Sequence, residues 1–96
     1  MSLREHLYRN RDLIRAIALK HGASNLHVFG SVVRGEERPD SDIDLLIDLA
    51  ETRGFADYLA LVDELESFFG RRVDVIIRRS LSPHFRPDIE AQATPL

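Results

Sequence analysis

The sequence contains no cysteine, no hydrophobic run of transmembrane length and no excess of positive charge. The absence of cysteine excludes disulfide bonds and thiolate metal sites. The N-terminal stretch MSLREHLYRN lacks the apolar segment of a signal peptide, so we expect a cytoplasmic protein that does not bind membranes. Since the formal net charge is −3, the chain has no general attraction to nucleic acid, and we expect no direct nucleic-acid binding.

A single domain spanning residues 1–96 is expected, because the chain shows no internal repeat, low-complexity tract or linker. Its hydrophobic content of 44% is ordinary for a globular protein. Residues 80–96 contain three of the four prolines. We therefore expect this segment to form a tail with only short helical pieces, frayed near Pro95.

Apolar periodicity predicts two long helices and three strands. In the second long helix it predicts a buried stripe made of Phe55, Leu59, Val62, Leu65 or Leu61, and Phe69. Ser2 and Glu5 fit a helix-capping box, and the glycines at 22 and 70 follow the last periodic residues of the two long helices. The predicted elements are a helix over Ser2–His21, a strand over Asn25–Phe29, a helical turn over Ser31–Glu36, a loop over Glu37–Ser41, a strand over Asp42–Leu49, a helix over Phe55–Phe69 and a strand over Val73–Ile77.

Two carboxylates open the second predicted strand. Asp42 and Asp44 are two residues apart, so their side chains point to the same face of a strand. Carboxylates held this close repel each other unless a cation lies between them, and an oxygen-rich site of this kind suits magnesium. Asp48 shares their face but lies roughly 13 Å farther along the strand, and we interpret it as a strand-end residue.

Upstream, Gly30-Ser31 closes the first strand. A turn without a side chain at Gly30 offers backbone N–H groups to a phosphate, and Ser31 adds a hydroxyl that is also placed to cap the following helical turn. Arg34 follows one turn later, where it could reach a bound triphosphate. The alternative is a surface arginine paired with Glu36 or Glu37. The pattern indicates a metal-dependent nucleotide site.

Asp74 interrupts an otherwise apolar predicted strand. An acid in a buried strand is costly unless it is paired or binds a metal. One interpretation pairs it with Arg71, Arg72 or Arg78. The other places it beside the Asp42 and Asp44 pair, where three carboxylates could hold the two metal ions that recur in nucleotidyl transfer.

Gly30-Ser31, a ten-residue spacer, Asp42-x-Asp44 and the later Asp74 together resemble the DNA polymerase β nucleotidyltransferase superfamily. The segment GSVVRGEERPDSDIDLLID resembles the motif of its minimal nucleotidyltransferase (MNT) branch. The resemblance implies that Gly30 and Ser31 hold the β- and γ-phosphates of the nucleotide. It also implies that Asp42 and Asp44 ligate two Mg²⁺ ions, and that Asp74 ligates the catalytic ion and helps to activate the attacking hydroxyl.

The same resemblance implies an α/β (α+β) fold, in which a small mixed sheet carries helices packed on one face. It implies a phosphate contact for Arg34, which matches the arginine before glycine in the MNT motif. Because larger superfamily members bind their acceptors with additional domains, we expect the acceptor here to be held largely by another molecule.

MNT proteins are similar to the antitoxins of toxin–antitoxin modules whose toxin is a HEPN-domain ribonuclease. The resemblance therefore implies a Mg²⁺-dependent protein adenylyltransferase that transfers AMP from ATP to a tyrosine of a HEPN toxin, in a type VII-like module and a hetero-oligomer. Two alternatives stay open: an antitoxin that acts by binding alone, and a subunit that nucleotidylates a small molecule. A small α/β domain with a structural Asp74–arginine pair would leave the glycine-serine and Asp-x-Asp spacing unexplained.

Overall fold

Four strands and five helices make up the chain in a computed structural model that describes residues 2–35 and 42–96, apart from the side chain of Arg34. The predicted loop over 37–41 and the end of the predicted helical turn at Glu36 lie outside the described residues. The elements are α1 (Leu3–Arg9), α2 (Arg11–Lys20), β1 (Ala23–Phe29), α3 (Ser31–Arg34), β2 (Ile43–Leu49), α4 (Phe55–Phe69), β3 (Val73–Ile77), a 3₁₀ turn (Arg78–Ser80), α5 (Arg86–Gln92) and β4 (Thr94–Pro95).

The strands form one mixed sheet in the order β3-β2-β1-β4. β1 runs antiparallel to both β2 and β4, whereas β2 and β3 are parallel. Parallel neighbours need a long crossover, and α4 supplies it. Helices α1, α2 and α4 share one hydrophobic core with one face of the sheet. The predicted α/β (α+β) fold with a small mixed sheet is confirmed.

Alternation along β2 decides which face becomes the core. Ile43, Leu45 and Ile47 are fully buried, and they pack with apolar residues of the helices that include Leu7 and Leu61. The intervening positions of β2 therefore point to the opposite face, as expected for a strand. The acids of β2 occupy that second face, where the candidate site lies.

β1 begins two residues earlier than the sequence predicted, because the strand contains an irregularity. The register against β2 shifts between Ser24 and His27, and Asn25 has a positive φ of 53°. The extra residue changes the side-chain parity, so that both Ala23 and Leu26 are buried in the core. Simple alternation could not reveal a strand whose parity changes partway along.

The predicted helix over Ser2–His21 is wrong in one respect, since it is two helices that meet at Asn10. The Asn10 side chain donates to the backbone oxygen of His6 at 2.8 Å, a local hydrogen bond with which asparagine competes against helix continuation. The predicted N-terminal cap is present, because Ser2 Oγ accepts from the Glu5 N–H at 3.1 Å. The chain leaves α2 at His21, before a glycine with φ 81°, as predicted.

Helix α4 has the predicted bounds, and its predicted buried stripe is right in the later part of the helix but wrong for Phe55 and Leu59. Leu61 and Leu65 are fully buried, whereas Phe55 is 73% exposed and Leu59 is 47% exposed. Periodicity gave these apolar residues one common stripe, although only the later part of the helix packs tightly on the sheet. The exposed N-terminal part of α4 lies beside β3, the strand that carries Asp74.

Residues 94–96 are folded onto the sheet, so the expectation of a frayed terminus is wrong. β4 pairs with β1, and Leu96 is 7% exposed with its N–H donating to the Leu26 oxygen at 3.0 Å. Arg15 Nε donates to the Leu96 oxygen at 2.8 Å. Helix α5 follows Pro83 and carries Pro87 within its first turn, as a short helical piece. Within the described residues, no helix is both long and apolar enough to cross a membrane.

Candidate active site

The turn after β1 brings Gly30 against the first acid of β2. Gly30 has φ 77° and ψ −148°, a conformation that residues with a Cβ rarely adopt. A Cβ at this position would lie 3.1 Å from Cγ of Asp44 and closer still to its Oδ2. Glycine is therefore required here both by the backbone conformation and by the neighbouring carboxylate.

Ser31 is the first residue of α3 and does not cap it. Gly30 occupies the N-cap position, and α3 has no side-chain cap hydrogen bond. The predicted capping role of Ser31 is therefore wrong, although the residue does begin a helical turn directly after Gly30. The side chain of Arg34, predicted to contact phosphate, lies outside the described part of the chain.

Sheet register places Asp44 between the turn and Asp74. Asp44 pairs with Phe29 of β1 on one side and with Asp74 of β3 on the other. Asp42 directly precedes β2 and is half-buried. The end of β1 and the beginnings of β2 and β3 thus lie at the same end of the sheet. There the structure brings together Gly30, Ser31 and the three predicted carboxylate positions.

Asp74 is exposed, so the buried acid expected from the sequence is not observed. No hydrogen bond or ion pair joins its side chain to another described residue, and the alternative pairing with Arg71, Arg72 or Arg78 is not found. Its charge is felt by a neighbour, because burial and then the charge of Asp74 raise the pKa of the Tyr58 hydroxyl. The Asp74 carboxylate is therefore not paired with an arginine among the described residues.

The three carboxylates have the right chemistry for a divalent cation, but they do not converge on one point. Across residues 2–35 and 42–96, no group of three His, Asp or Glu side chains is arranged to hold a metal ion. What the fold supplies is proximity: Asp44 and Asp74 are register partners, and Asp42 lies two residues before Asp44. Hard oxygen donors at adjacent positions fit magnesium in kind. Metal ligation by these residues remains a prediction.

Asp48 lies away from this end of the sheet and belongs to a different cluster. Its Oδ1 accepts from Arg78 at 2.5 Å, and its Oδ2 accepts from Asn25 at 3.0 Å. Arg78 is only 8% exposed, and it also donates to the Asn25 oxygen and lies 3.5 Å from Glu90 of α5. The interpretation of Asp48 as a residue outside the metal site agrees with this arrangement.

A groove of about 550 Å³ runs along β3 and includes Asp74. Tyr58 and Phe55 of α4 line it, and the Tyr58 hydroxyl donates to the Val75 oxygen at 2.7 Å. The apolar periodicity predicted a buried Phe55 and indicated no role for Tyr58. The signal that could have identified them is their spacing of three residues at the start of α4, which places both rings on one side of the helix.

The profile of the nucleotidyltransferase domain family matches residues 11–96. The chain belongs to this family. A Methanocaldococcus jannaschii protein with the provisional name protein adenylyltransferase MJ0435 is 38% identical over 77 residues, which cover 80% of this chain and 83% of that protein. The predicted membership of the MNT branch and the predicted enzyme class, a nucleotidyltransferase, are confirmed.

Solved structures agree with the family assignment. The structure of a protein provisionally described as a minimal nucleotidyltransferase is 41% identical, with a TM-score of 0.87, and the match covers 100% of this chain and 97% of that one. An MNT antitoxin in complex with a tri-AMPylated Shewanella oneidensis HEPN toxin aligns at 21% identity with a TM-score of 0.69, covering 92% of this chain and 69% of that one. At this identity the second likeness shows the fold alone.

Proposed function

We propose that this chain transfers AMP from ATP to a tyrosine hydroxyl of a HEPN-domain toxin, and that it thereby acts as the antitoxin of a type VII-like module. The observation that carries the proposal is the contact of Gly30 with Asp44, which is itself the register partner of Asp74. Further support comes from the adenylyltransferase name of a relative and from the AMPylated toxin bound by a structural neighbour.

Each predicted site residue has a place in this reaction. Gly30 and Ser31 hold the β- and γ-phosphates, because the turn lets a ligand approach the backbone closely. Arg34 adds a charge-assisted contact to phosphate. Asp42 and Asp44 would hold two Mg²⁺ ions, with Asp74 as a further ligand of one of them. When bound, the ions would neutralise charge on the phosphates and on the leaving group.

The transfer itself breaks one bond and forms another at the α-phosphorus. The tyrosine oxygen attacks in line, the bond from phosphorus to the α–β bridging oxygen breaks, and pyrophosphate leaves. The tyrosine proton passes to Asp74, whose exposed carboxylate has no cationic partner among the described residues. The charge of the modified tyrosine changes from neutral to negative, which would silence the toxin.

We further propose that residues 1–96 act as one catalytic unit, in which residues 80–96 complete the sheet. The acceptor is then presented by the partner in a hetero-oligomer. Pairing of β4 with β1 and the burial of Leu96 support a structural role for this segment.

The decisive experiment is the intact mass of the cognate HEPN protein after incubation with this chain, ATP and Mg²⁺. The proposal expects a gain of one or more AMP units, abolished by EDTA and by the Asp42→Asn, Asp44→Asn double variant. Asp63→Asn is the matched control, since Asp63 is an exposed acid on α4. A stable complex without any mass gain would instead establish inhibition by binding alone. AMP transfer to an aminoglycoside without a protein partner would favour the small-molecule alternative.

A further inference from the structure

The groove along β3 includes Asp74, to which the proposed reaction assigns the tyrosine proton. Asp74 lies in its wall, and the rest of the lining is largely apolar, with Phe55 and Tyr58 on the side of α4. Arg79 lies in the groove as well, near Ser80. Among the described ion pairs none involves Arg79, whose guanidinium donates to the Leu49 oxygen. The groove therefore combines a carboxylate, an aromatic wall and a cation without an acidic partner.

The outer edge of β3 is partly covered by side chains of α4. β3 is an edge strand of the sheet, since only β2 lies beside it. The Ile43 N–H of β2 donates to the Arg72 oxygen at 3.0 Å, so Arg72 directs its carbonyl towards β2. By alternation, Val73, Val75 and Ile77 then direct their backbone groups away from β2. Glu66 accepts from the Val73 N–H at 3.0 Å and Tyr58 donates to the Val75 oxygen. Within the described part of the chain, no hydrogen bond outside the sheet reaches the N–H groups of Val75 and Ile77. Val75 is only 3% exposed, so the donor that borders the groove is the N–H of the half-buried Ile77.

Phe55 has no packing role that explains its position. It is 73% exposed, and its ring stacks on Tyr58 with centroids 6.1 Å apart and planes at 19°. The half-buried Tyr58 is fixed by its hydrogen bond to the Val75 oxygen, so it supports the exposed Phe55 ring beside the groove. An exposed aromatic ring next to a strand donor, here the Ile77 N–H, is a combination that can bind an extended peptide.

We propose that the groove along β3 binds an extended acceptor segment of the partner protein. A backbone hydrogen bond from the Ile77 N–H aligns the segment, so that its hydroxyl-bearing residue lies beside Asp74. Phe55, stacked on Tyr58, holds a neighbouring side chain of the segment. This inference rests on the proposed function, for which it supplies the acceptor site.

The opposite charges of Asp74 and Arg79 would determine the orientation of the bound segment in the groove. Asp74 marks the end of the groove where the hydroxyl reacts, and Arg79 marks the end reached after β3. An acidic side chain beyond the reactive hydroxyl would complement Arg79, whereas one beside Asp74 would be repelled. The occupant is therefore a polypeptide segment with a hydroxyl residue and a displaced carboxylate.

The first test compares Phe55→Ala with Phe85→Ala in the full chain. Phe85 is 59% exposed and lies outside the groove, so the control removes the same ring from another surface. Phe55→Ala is expected to raise the KM for the HEPN protein about tenfold. The kcat and the affinity for a non-hydrolysable ATP analogue should be unchanged, and Phe85→Ala should match the wild type. Equal KM values for the two variants would overturn the proposal.

A second test does not depend on AMP transfer. A photo-cross-linking benzoylphenylalanine replaces Phe55 in one variant and Phe85 in another, and the cross-linked partner peptide is identified by mass spectrometry. The proposal expects the Phe55 variant alone to capture a partner segment that contains a hydroxyl residue. If the wild type transfers no AMP, the proposed function fails, while the cross-link still decides whether the groove binds the partner. Equal capture at both positions would refute the acceptor groove even in an active enzyme.

Discussion

Gly30 and Asp44 are in direct contact across the turn that joins β1 to α3. A Cβ added to Gly30 would lie 3.1 Å from the Cγ atom of Asp44 and nearer still to Oδ2. The antiparallel register of β1 and β2, in which Phe29 faces Asp44, produces this contact. The glycine and the first acids of β2 are thus one structural unit, although the sequence separates them by more than ten residues.

Replacement of Gly30 by alanine should remove activity and reduce stability. The methyl group would displace the Asp44 carboxylate, and alanine would be strained at φ 77°. We expect a loss of about 100-fold in AMP transfer, since a small displacement of a catalytic group has this effect. Gly30 lies in a backbone region that is essentially restricted to glycine, so the strain should lower the free energy of unfolding by about 1–3 kcal/mol. Transfer rates and urea denaturation measure the two effects.

Gly70→Ala is the control that distinguishes the effect of backbone strain from that of the steric clash with Asp44. Gly70 has a similar φ of 66°, but nothing lies within 4 Å of an added Cβ. We expect a comparable loss of stability with transfer close to the wild type, because Gly70 follows α4 and contacts no site residue. If both alanine variants lost activity equally, the contact between Gly30 and Asp44 would have no catalytic importance.

Asp74→Asn should stop the reaction without disturbing the fold. The side chain is exposed and makes no ion pair with a described residue, so unfolding should change by no more than about 0.5 kcal/mol. Loss of the group that accepts the tyrosine proton should lower kcat by about 10²–10⁴-fold. Single-turnover kinetics at saturating ATP measure this, with Asp63→Asn as the control. Wild-type kcat in Asp74→Asn would remove Asp74 from the mechanism.

The sequence predicted those features of the fold that depend on local pattern. The bounds of α4 and β3 agree with the periodicity, and the central strand begins at Ile43, one residue later than expected, so that Asp42 precedes it and Asp44 lies within it. The break at Asn10 was missed because one side chain decides it through a local hydrogen bond. The frayed terminus was wrong because pairing with β1, which is distant in sequence, orders Pro95.

The sequence could predict which strands carry the acidic residues of the site, but not which side chains surround those acids. A motif can place Asp44 and Asp74 on adjacent strands, yet it cannot show which arginines reach them. Arg78 was a candidate partner of Asp74, and the structure pairs it with Asp48 and Glu90 instead. That choice depends on how the 3₁₀ turn after β3 directs the side chain across the sheet, which is tertiary information.

Arg78 should be the most important charged residue for stability. It is 8% exposed and connects Asp48 of β2 to Glu90 of α5. Arg78→Met should lower the free energy of unfolding by about 1–3 kcal/mol, because the half-exposed acids lose their cation and the backbone oxygen of Asn25 loses a donor. Urea denaturation measures the loss, and hydrogen exchange should show reduced protection in α5.

Arg86→Ala is the comparison for Arg78. Arg86 also pairs with Glu90, at 3.1 Å, but it is 47% exposed and its pair is an i,i+4 contact on one helix. An exposed pair of this kind contributes about 0.3–0.5 kcal/mol. A similar cost for both variants would mean that the burial of Arg78 contributes nothing to its effect.

Asp48 gives the chain a stability term that depends on pH. Burial alone would raise the pKa of this carboxyl, but hydrogen bonds from Asn25 and Arg78, together with the charge of Arg78, lower it below the ordinary value of 3.8. A depressed pKa in the folded state means that the stabilisation is complete above the unfolded-state pKa and is lost as the pH falls through the folded-state pKa.

Asp48→Asn should therefore be less stable than the wild type at pH 6, as measured by urea denaturation. The difference should shrink progressively as the pH is lowered from 4 towards 2.5, since the wild-type carboxyl becomes protonated. Other acids with lowered pKa values, such as Asp57 and Glu64, are present in both proteins, so their contributions cancel in this comparison. A difference that stayed constant over this range would show that Asp48 acts through its shape and hydrogen bonds, and that its charge has no effect.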